Sequence, residues 1–223
     1  MYKFIKRMFD VISSLTVLLI LIPLLLPIMI LLKLTSEGEI FYFQERIGMH
    51  NKPFMIFKFA TMLKNSSKMK GGIITLKNDP RVTLLGGFLR KSKINELPQL
   101  INILIGNMSV VGPRPVMRLS FEAYPKNIQQ VIYNVKPGLT GIGSIIFRDE
   151  EELITNIKNK GGDTWLFYKN KIYPYKGKLE IWYQKNKSFF LDIQLIFMTV
   201  WVIIFPKTKL PSKFFKNLPK KEI

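Results

Sequence analysis

Residues 11–32 read VISSLTVLLILIPLLLPIMILL, 22 residues from Val11 to Leu32 without a charge. About 20 apolar residues suffice to span the hydrocarbon of a bilayer, so hydropathy predicts a membrane helix. Two features argue against a simple crossing. Pro23 and Pro27 fall in its middle, where each removes a backbone donor and kinks the helix. Basic residues also flank both ends: Lys3, Lys6 and Arg7 before it, Lys33, Arg46, Lys52 and Lys58 after it. The positive-inside rule places both flanks on the cytoplasmic side. A helix that enters, breaks at Pro23 and returns satisfies both facts. A single-pass helix with a tolerated proline kink is the alternative. No small-residue cleavage site follows the segment, so a removable signal peptide is not expected.

The chain has 223 residues, enough for one domain with a core plus a membrane segment. Lys and Arg number 34 against 15 Asp and Glu, a formal net charge of +19. That balance calls for a polyanionic partner. The chain is also 48% hydrophobic, with 17 Phe. The combination points to an anionic membrane surface and phosphorylated substrates, not to nucleic acid. There is no Cys, which excludes disulfides, thiolate metal sites and Cys nucleophiles, and His50 is the only His. Any metal must be hard and oxygen-ligated, Mg²⁺ first and Mn²⁺ second.

Beyond the membrane segment, Ile40–Phe43 and Phe54–Phe57 read as short strands, and Ser66–Gly72 as a polar linker. The turn Asp79-Pro80-Arg81 precedes a predicted helix, Val82–Lys91. Another helix is expected from about Asn95 to Ile105, and a third over Phe121–Val135. Gly112-Pro113-Arg114-Pro115 is a rigid loop, and Lys136-Pro137-Gly138 a turn. Phe189–Phe205 is apolar apart from Asp192 and Gln194, and reads as a core or surface-lying helix. Lys207–Lys221 carries six Lys with Phe214 and Phe215 among them, suiting an anionic surface or a solvated tail equally.

Asn95-Glu96-Leu97-Pro98 carries a helix-start signature. Asn95 suits an N-cap and Pro98 falls in the first turn, where a missing N–H costs nothing. Leu97, Leu100, Ile101 and Leu104 continue an apolar face. One reading is a capped amphipathic helix whose dipole Glu96 complements. The other is a helix N-terminus that holds a metal-phosphate, with Glu96 as the carboxylate ligand. Arg81, Arg90, Lys91, Lys93 and Arg114 cluster nearby, as a chain this basic also produces by chance. Arg114, between two prolines, is preorganised for bidentate phosphate binding. The chain lacks G-x-x-x-x-G-K-[ST] and G-x-G-x-x-G, against P-loop and Rossmann nucleotide binding.

These blocks resemble the bacterial sugar transferases, small monotopic polyprenyl-phosphate phosphoglycosyl transferases. The similarity runs from about Lys6 to about Thr199. It begins with Lys6-Arg7-Met8-Phe9-Asp10, Pro23, then Gln44, Arg46, Lys52-Pro53-Phe54 and Lys58-Phe59. It continues through Ile74-Thr75, Asn78-Asp79-Pro80-Arg81-Val82-Thr83, Phe88-Leu89-Arg90-Lys91 and Glu96-Leu97-Pro98-Gln99-Leu100. Gly112-Pro113-Arg114-Pro115, Lys136-Pro137-Gly138-Leu139-Thr140-Gly141 and Asp192 complete it.

The resemblance implies an α+β architecture. Residues 1–33 would form a re-entrant membrane helix-break-helix packed on a compact, mainly helical cytoplasmic catalytic domain, 34–206, with a small β element and amphipathic interfacial helices. Residues 207–223 would be a basic tail. The implied reaction moves a sugar-1-phosphate from a UDP-sugar to undecaprenyl phosphate at the bacterial inner membrane, beginning a polysaccharide or glycoconjugate. Membrane lipids are implied partners, and a homodimer is compatible with this placement. The family uses Mg²⁺ and an Asp-Glu dyad, in which the Asp attacks phosphorus and the Glu binds metal. By this similarity Glu96 is the metal ligand, Pro23 marks the membrane break, and Gln44, Arg46, Lys58, Arg81, Arg90 and Arg114 bind phosphate. Asn95 stands at the nucleophile's position, and an amide cannot be that nucleophile. Three accounts follow: direct attack by the lipid phosphate, a substitute carboxylate such as Glu96 or Asp79, or a catalytically impaired homologue acting as a binding partner in glycan assembly.

Overall fold

The computed structural model describes residues 1–35, 37–66, 69, 79–206 and 208–221. Most of the Ser66–Gly72 linker, the blocks at Ile74-Thr75 and Asn78, and Lys207 lie outside the described residues.

The membrane segment lies within α1, a single helix of 34 residues (Tyr2–Thr35) with Pro23 and Pro27 inside it. The expected break at Pro23 is therefore not a helix end. The two prolines withdraw N–H groups, and the helix carries on through both, as apolar membrane helices commonly do. Asp10, Ser14, Leu25, Ile28 and Leu32 are buried, and Leu18 and Leu21 pack beside them. These positions recur every three or four residues, so one stripe of α1 faces the rest of the protein along its length. Ile12, Leu15, Leu19, Ile22, Leu26 and Ile30 form the opposite stripe and are exposed.

The strands β1 (Phe41–Ile47) and β2 (Pro53–Phe59) pair as an antiparallel hairpin with Phe41 opposite Phe59 and Gln44 opposite Ile56. Helix α2 (Leu84–Lys91) begins where Thr83 Oγ1 accepts the Gly86 N–H at 2.9 Å. Gly86 is needed there, because a Cβ would meet the Thr61 carbonyl oxygen at 2.1 Å. Lys93 then adopts φ 63°, and a 3₁₀ turn over Ile94–Glu96 leads into α3 (Gln99–Ile105). Asn95 accordingly lies within a helical turn instead of capping a helix, correcting the sequence expectation. Asn102 stitches α3 to β2, donating to the Met55 carbonyl at 2.8 Å and accepting the Phe57 N–H at 2.9 Å.

Strand β3 (Ser109–Val111) pairs in parallel with β4 (Gly138–Thr140). Between them the predicted helix over 121–135 is two short ones, α4 (Arg118–Glu122) and α5 (Lys126–Gln129). Pro125 is the reason: it disfavours helical geometry in the residue before it and starts a new turn. Helices α6 (Ile142–Ile146), α7 (Glu150–Asn159), α8 (Thr164–Phe167), α9 (Tyr173–Asn186), α10 (Phe189–Ile204) and α11 (Leu210–Phe214) complete a mixed helix-and-sheet fold. Ile142, Ile154, Leu179, Leu195 and Met198 centre the largest core cluster. The basic tail folds back onto it: Phe215 is buried against Trp182, and Tyr175 donates to the Pro219 carbonyl at 3.0 Å.

Polar straps fix the N-terminal end of α1. Asp192 of α10 accepts from Tyr2 at 2.9 Å, Lys6 at 2.7 Å and Tyr183 at 2.7 Å. Asp10 accepts from the Ser109 hydroxyl at 3.0 Å and the Val110 N–H at 2.9 Å. Arg7 donates to the carbonyls of Ile103 and Leu104, the open C-terminal end of α3. Phe190, Ile193, Phe197 and Val200 point away from the core on α10 and are exposed, in keeping with a surface-lying helix.

Candidate active site

The 3₁₀ turn before α3 carries Glu96, and the Gly112–Pro115 loop carries Arg114. The guanidinium grips the carboxylate in a fork, Nη2 to Oε1 at 2.5 Å and Nη1 to Oε2 at 3.1 Å. The loop is held on three sides. Tyr133 donates to the Arg114 carbonyl at 2.8 Å, the Ile47 N–H donates to the Val116 carbonyl at 2.9 Å, and the Gly138 N–H donates to the Pro113 carbonyl at 2.8 Å. The sequence predicted a rigid Arg114, and these bonds supply the rigidity.

Glu96 and Arg114 line a cavity of about 590 Å³ together with Arg46, Lys93 and Arg148. Arg46 Nη2 donates to Gln44 Oε1 at 2.5 Å, while its Nε is buried without an acceptor. Burial, then the neighbouring Arg114 charge, lowers the Arg46 pKa to about 10. Burial also lowers Lys58 to about 7 although Glu96 pulls it up; Arg46, Arg114 and Arg90 press it further down. Glu96 shows the converse. Burial alone would raise its pKa, but Arg114, Lys58 and Lys93 outweigh that and hold the carboxyl well below the usual range. The turn therefore concentrates positive charge around one permanently ionised carboxylate.

The structure brings Glu96, Arg114, Arg46, Gln44, Lys58 and Arg90 into one electrostatic neighbourhood. It does not bring Arg81 there. Both Asp79 oxygens are taken by Arg81, Nε to Oδ1 at 2.9 Å and Nη2 to Oδ2 at 2.6 Å, and neither residue lines the cavity. Asn95 is buried, its Oδ1 lacks a hydrogen-bond partner, and it does not line the cavity.

The cavity is also lined by Glu150, Lys176, Glu180, Tyr168 and Tyr173, to which the sequence assigned no individual role. Lys176 donates to both Glu150 oxygens at 2.7 Å. Glu180 is 4% exposed, and burial, only partly offset by Lys176 and the Gly143 N–H, pushes its pKa up to about 7. A signal was present: Glu180 is the only acid between Lys169 and Lys187, and Lys176 stands one helical turn before it. Among the described residues no group of three or more His, Cys, Asp or Glu could hold a metal.

The family model for bacterial sugar transferases matches residues 1–206. The undecaprenyl-phosphate galactose phosphotransferase of Salmonella typhimurium is 32% identical over 217 residues, 91% of this chain and 41% of that protein. The UDP-glucose:undecaprenyl-phosphate glucose-1-phosphate transferase of Klebsiella pneumoniae is 36% identical over 201 residues, 88% of this chain and 39% of that protein. The exopolysaccharide production protein ExoY of Rhizobium meliloti is 34% identical over 210 residues, 87% of this chain and 83% of that protein. The chain thus spans about two fifths of the length of the first two of these relatives. On the match over nearly its whole length, this chain belongs to the bacterial sugar transferase family.

Proposed function

We propose that the protein transfers a sugar-1-phosphate from a UDP-sugar to undecaprenyl phosphate, as the names of its relatives describe for them. The observation that carries this reading is the excess of cations around Glu96. Arg46, Lys93 and Arg148 line the cavity without an ion-pair partner among the described residues, and Arg114 already has its own. Such a wall is unfavourable until an anion enters, and a diphosphate supplies the missing charge. The comparisons lend no support to a catalytically impaired binding partner.

The step we infer is direct. An oxygen of the lipid phosphate attacks the phosphorus nearest the sugar, a P–O bond forms, and the P–O bond to UMP breaks with its electron pair leaving on UMP. Asn95 cannot be a nucleophile, and Arg81 holds both oxygens of Asp79. Arg114 and Arg46 orient the donor phosphates, and Lys93 offsets charge on the leaving oxygen. Glu96 lines the cavity and is a hard oxygen donor of the type Mg²⁺ takes, so it is the residue that would hold that ion. Bound there, Mg²⁺ would neutralise part of the diphosphate charge.

The packing of α1 supports a helix that does not cross the bilayer but lies against the charged domain at the cytoplasmic face. Buried contacts run from Asp10 to Leu32 onto one body, about 33 Å along the helix. A helix crossing the bilayer could not keep both ends on a domain carrying this much charge. The test of the function supplies labelled UDP-sugars, undecaprenyl phosphate and Mg²⁺ to the purified full chain. Label entering the lipid fraction is expected. Label that never leaves the aqueous phase with any UDP-sugar would reject the reading.

A further inference from the structure

The cavity is lined by both signs of charge: Arg46, Lys93, Arg114 and Arg148 on one hand, Glu150, Glu151 and Glu180 on the other. Phosphates belong with the guanidinium groups, and a carboxylate repels them. A carboxylate suits an uncharged, hydroxyl-bearing group instead. Tyr168 and Tyr173 line the same cavity and give it flat apolar faces beside polar tips.

The carboxylates there are not equivalent. Both Glu150 oxygens are committed to Lys176. Glu151 lies at the exposed rim. Glu180 is buried, one side of its carboxylate takes the Gly143 N–H, and Oε2 has no hydrogen-bond partner. A buried carboxylate oxygen left unpaired costs free energy, so a site that keeps one lacks its donor. Gly143 makes room for it: a Cβ at that position would lie 2.5 Å from Glu180 Oε1.

We propose that Glu180 is the specificity residue of the donor site, its Oε2 accepting a hydrogen bond from the uncharged part of the nucleotide sugar. The donor is a hydroxyl of the transferred sugar, or a hydroxyl or N–H of the nucleoside. A site built to accept such a bond discriminates strongly, because a ligand lacking the donor leaves the acceptor buried and unpaired. This inference rests on the UDP-sugar reading above.

The test is calorimetric binding of UMP, UDP-glucose, UDP-galactose and UDP-N-acetylgalactosamine to the full chain in detergent. Wild type is compared with Glu180→Gln and with Glu180→Asp, which withdraws the carboxylate while keeping its charge. Either variant should weaken binding of the preferred UDP-sugar about tenfold. Unchanged UMP affinity then assigns the bond to the sugar, and a parallel loss of UMP affinity assigns it to the nucleoside. Either folded variant binding every probe within about twofold of wild type would overturn the proposal and leave the donor reading standing. Wild type binding none of the probes would overturn both.

Discussion

Replacing Glu96 by Gln removes the carboxylate that Arg114 grips. Arg114 loses one arm of its fork, since the amide offers one acceptor in place of two. Two unit charges about 4 Å apart at an effective dielectric of about 20 attract by roughly 4 kcal/mol. The Arg114 side chain keeps 41% of its surface exposed and Glu96 12%, so solvent screening reduces that figure. A net stability loss of about 1–2 kcal/mol is expected, or a fall of about 2–8 °C in Tm for a chain of this size. Affinity and turnover should move in opposite directions. UMP, an anion, should bind more tightly, because the substitution deletes a negative charge from its site. Turnover should fall at least about 100-fold, close to 3 kcal/mol of barrier, because Glu96 orients Arg114 and is the carboxylate that fits a metal. UMP inhibition and steady-state transfer, measured on the same preparation, separate the two effects. Tighter UMP binding with turnover within about threefold of wild type would make Glu96 a structural counter-ion and refute the reasoning.

Asp192→Asn should leave Lys6 half-buried without its charge partner and weaken the bonds from Tyr2 and Tyr183. A loss of about 2–4 kcal/mol is expected, read as a Tm lower by about 5–15 °C in detergent. Arg46→Gln should raise the UMP inhibition constant about tenfold while Tm changes little. Glu180 has a raised folded-state pKa, about 7 against an ordinary 4.5, so the stability linked to its proton is present below pH 4.5 and lost as pH rises through 7. Glu180→Gln should therefore gain stability relative to wild type across that window, up to about 3 kcal/mol, and hold the gain above it. Denaturation at pH 5 and pH 8 measures this, and an equal difference at both values would contradict it.

The parts of the fold set by local chemistry were legible in the sequence. Helices α2, α3 and α10 and the rigid Arg114 loop follow from the turn at Asp79-Pro80-Arg81, from the apolar runs and from the prolines flanking Arg114. The apolar run was unmistakable, but its two-faced stripe was not. Leu and Ile occupy both faces, so composition cannot distinguish the face toward the protein from the face toward lipid. Asn95 was misread because Asn before Glu-Leu-Pro looks like a cap. The left-handed Lys93 starts the turn two residues earlier and buries the amide instead. Glu96 and Arg114, singled out by their local motifs, and Arg46, named by the resemblance, all line the cavity. Arg81 was assigned to phosphate on the same basis, but its partner proved to be Asp79, two residues away. Glu150 and Glu180 received no individual role for the opposite reason. They reach the cavity from α7 and α9, which are placed by the packing of α9 against α6 and of α7 against α8.

The central claim is that the native chain, with Asn95 in place, transfers sugar-1-phosphate. Its most direct measurement is UMP release coupled to formation of the lipid-linked sugar, for wild type and Asn95→Asp side by side. The account predicts product from wild type that depends on undecaprenyl phosphate and appears without a covalent phosphosugar-protein adduct. Product from Asn95→Asp, with none from wild type on any UDP-sugar, would contradict it.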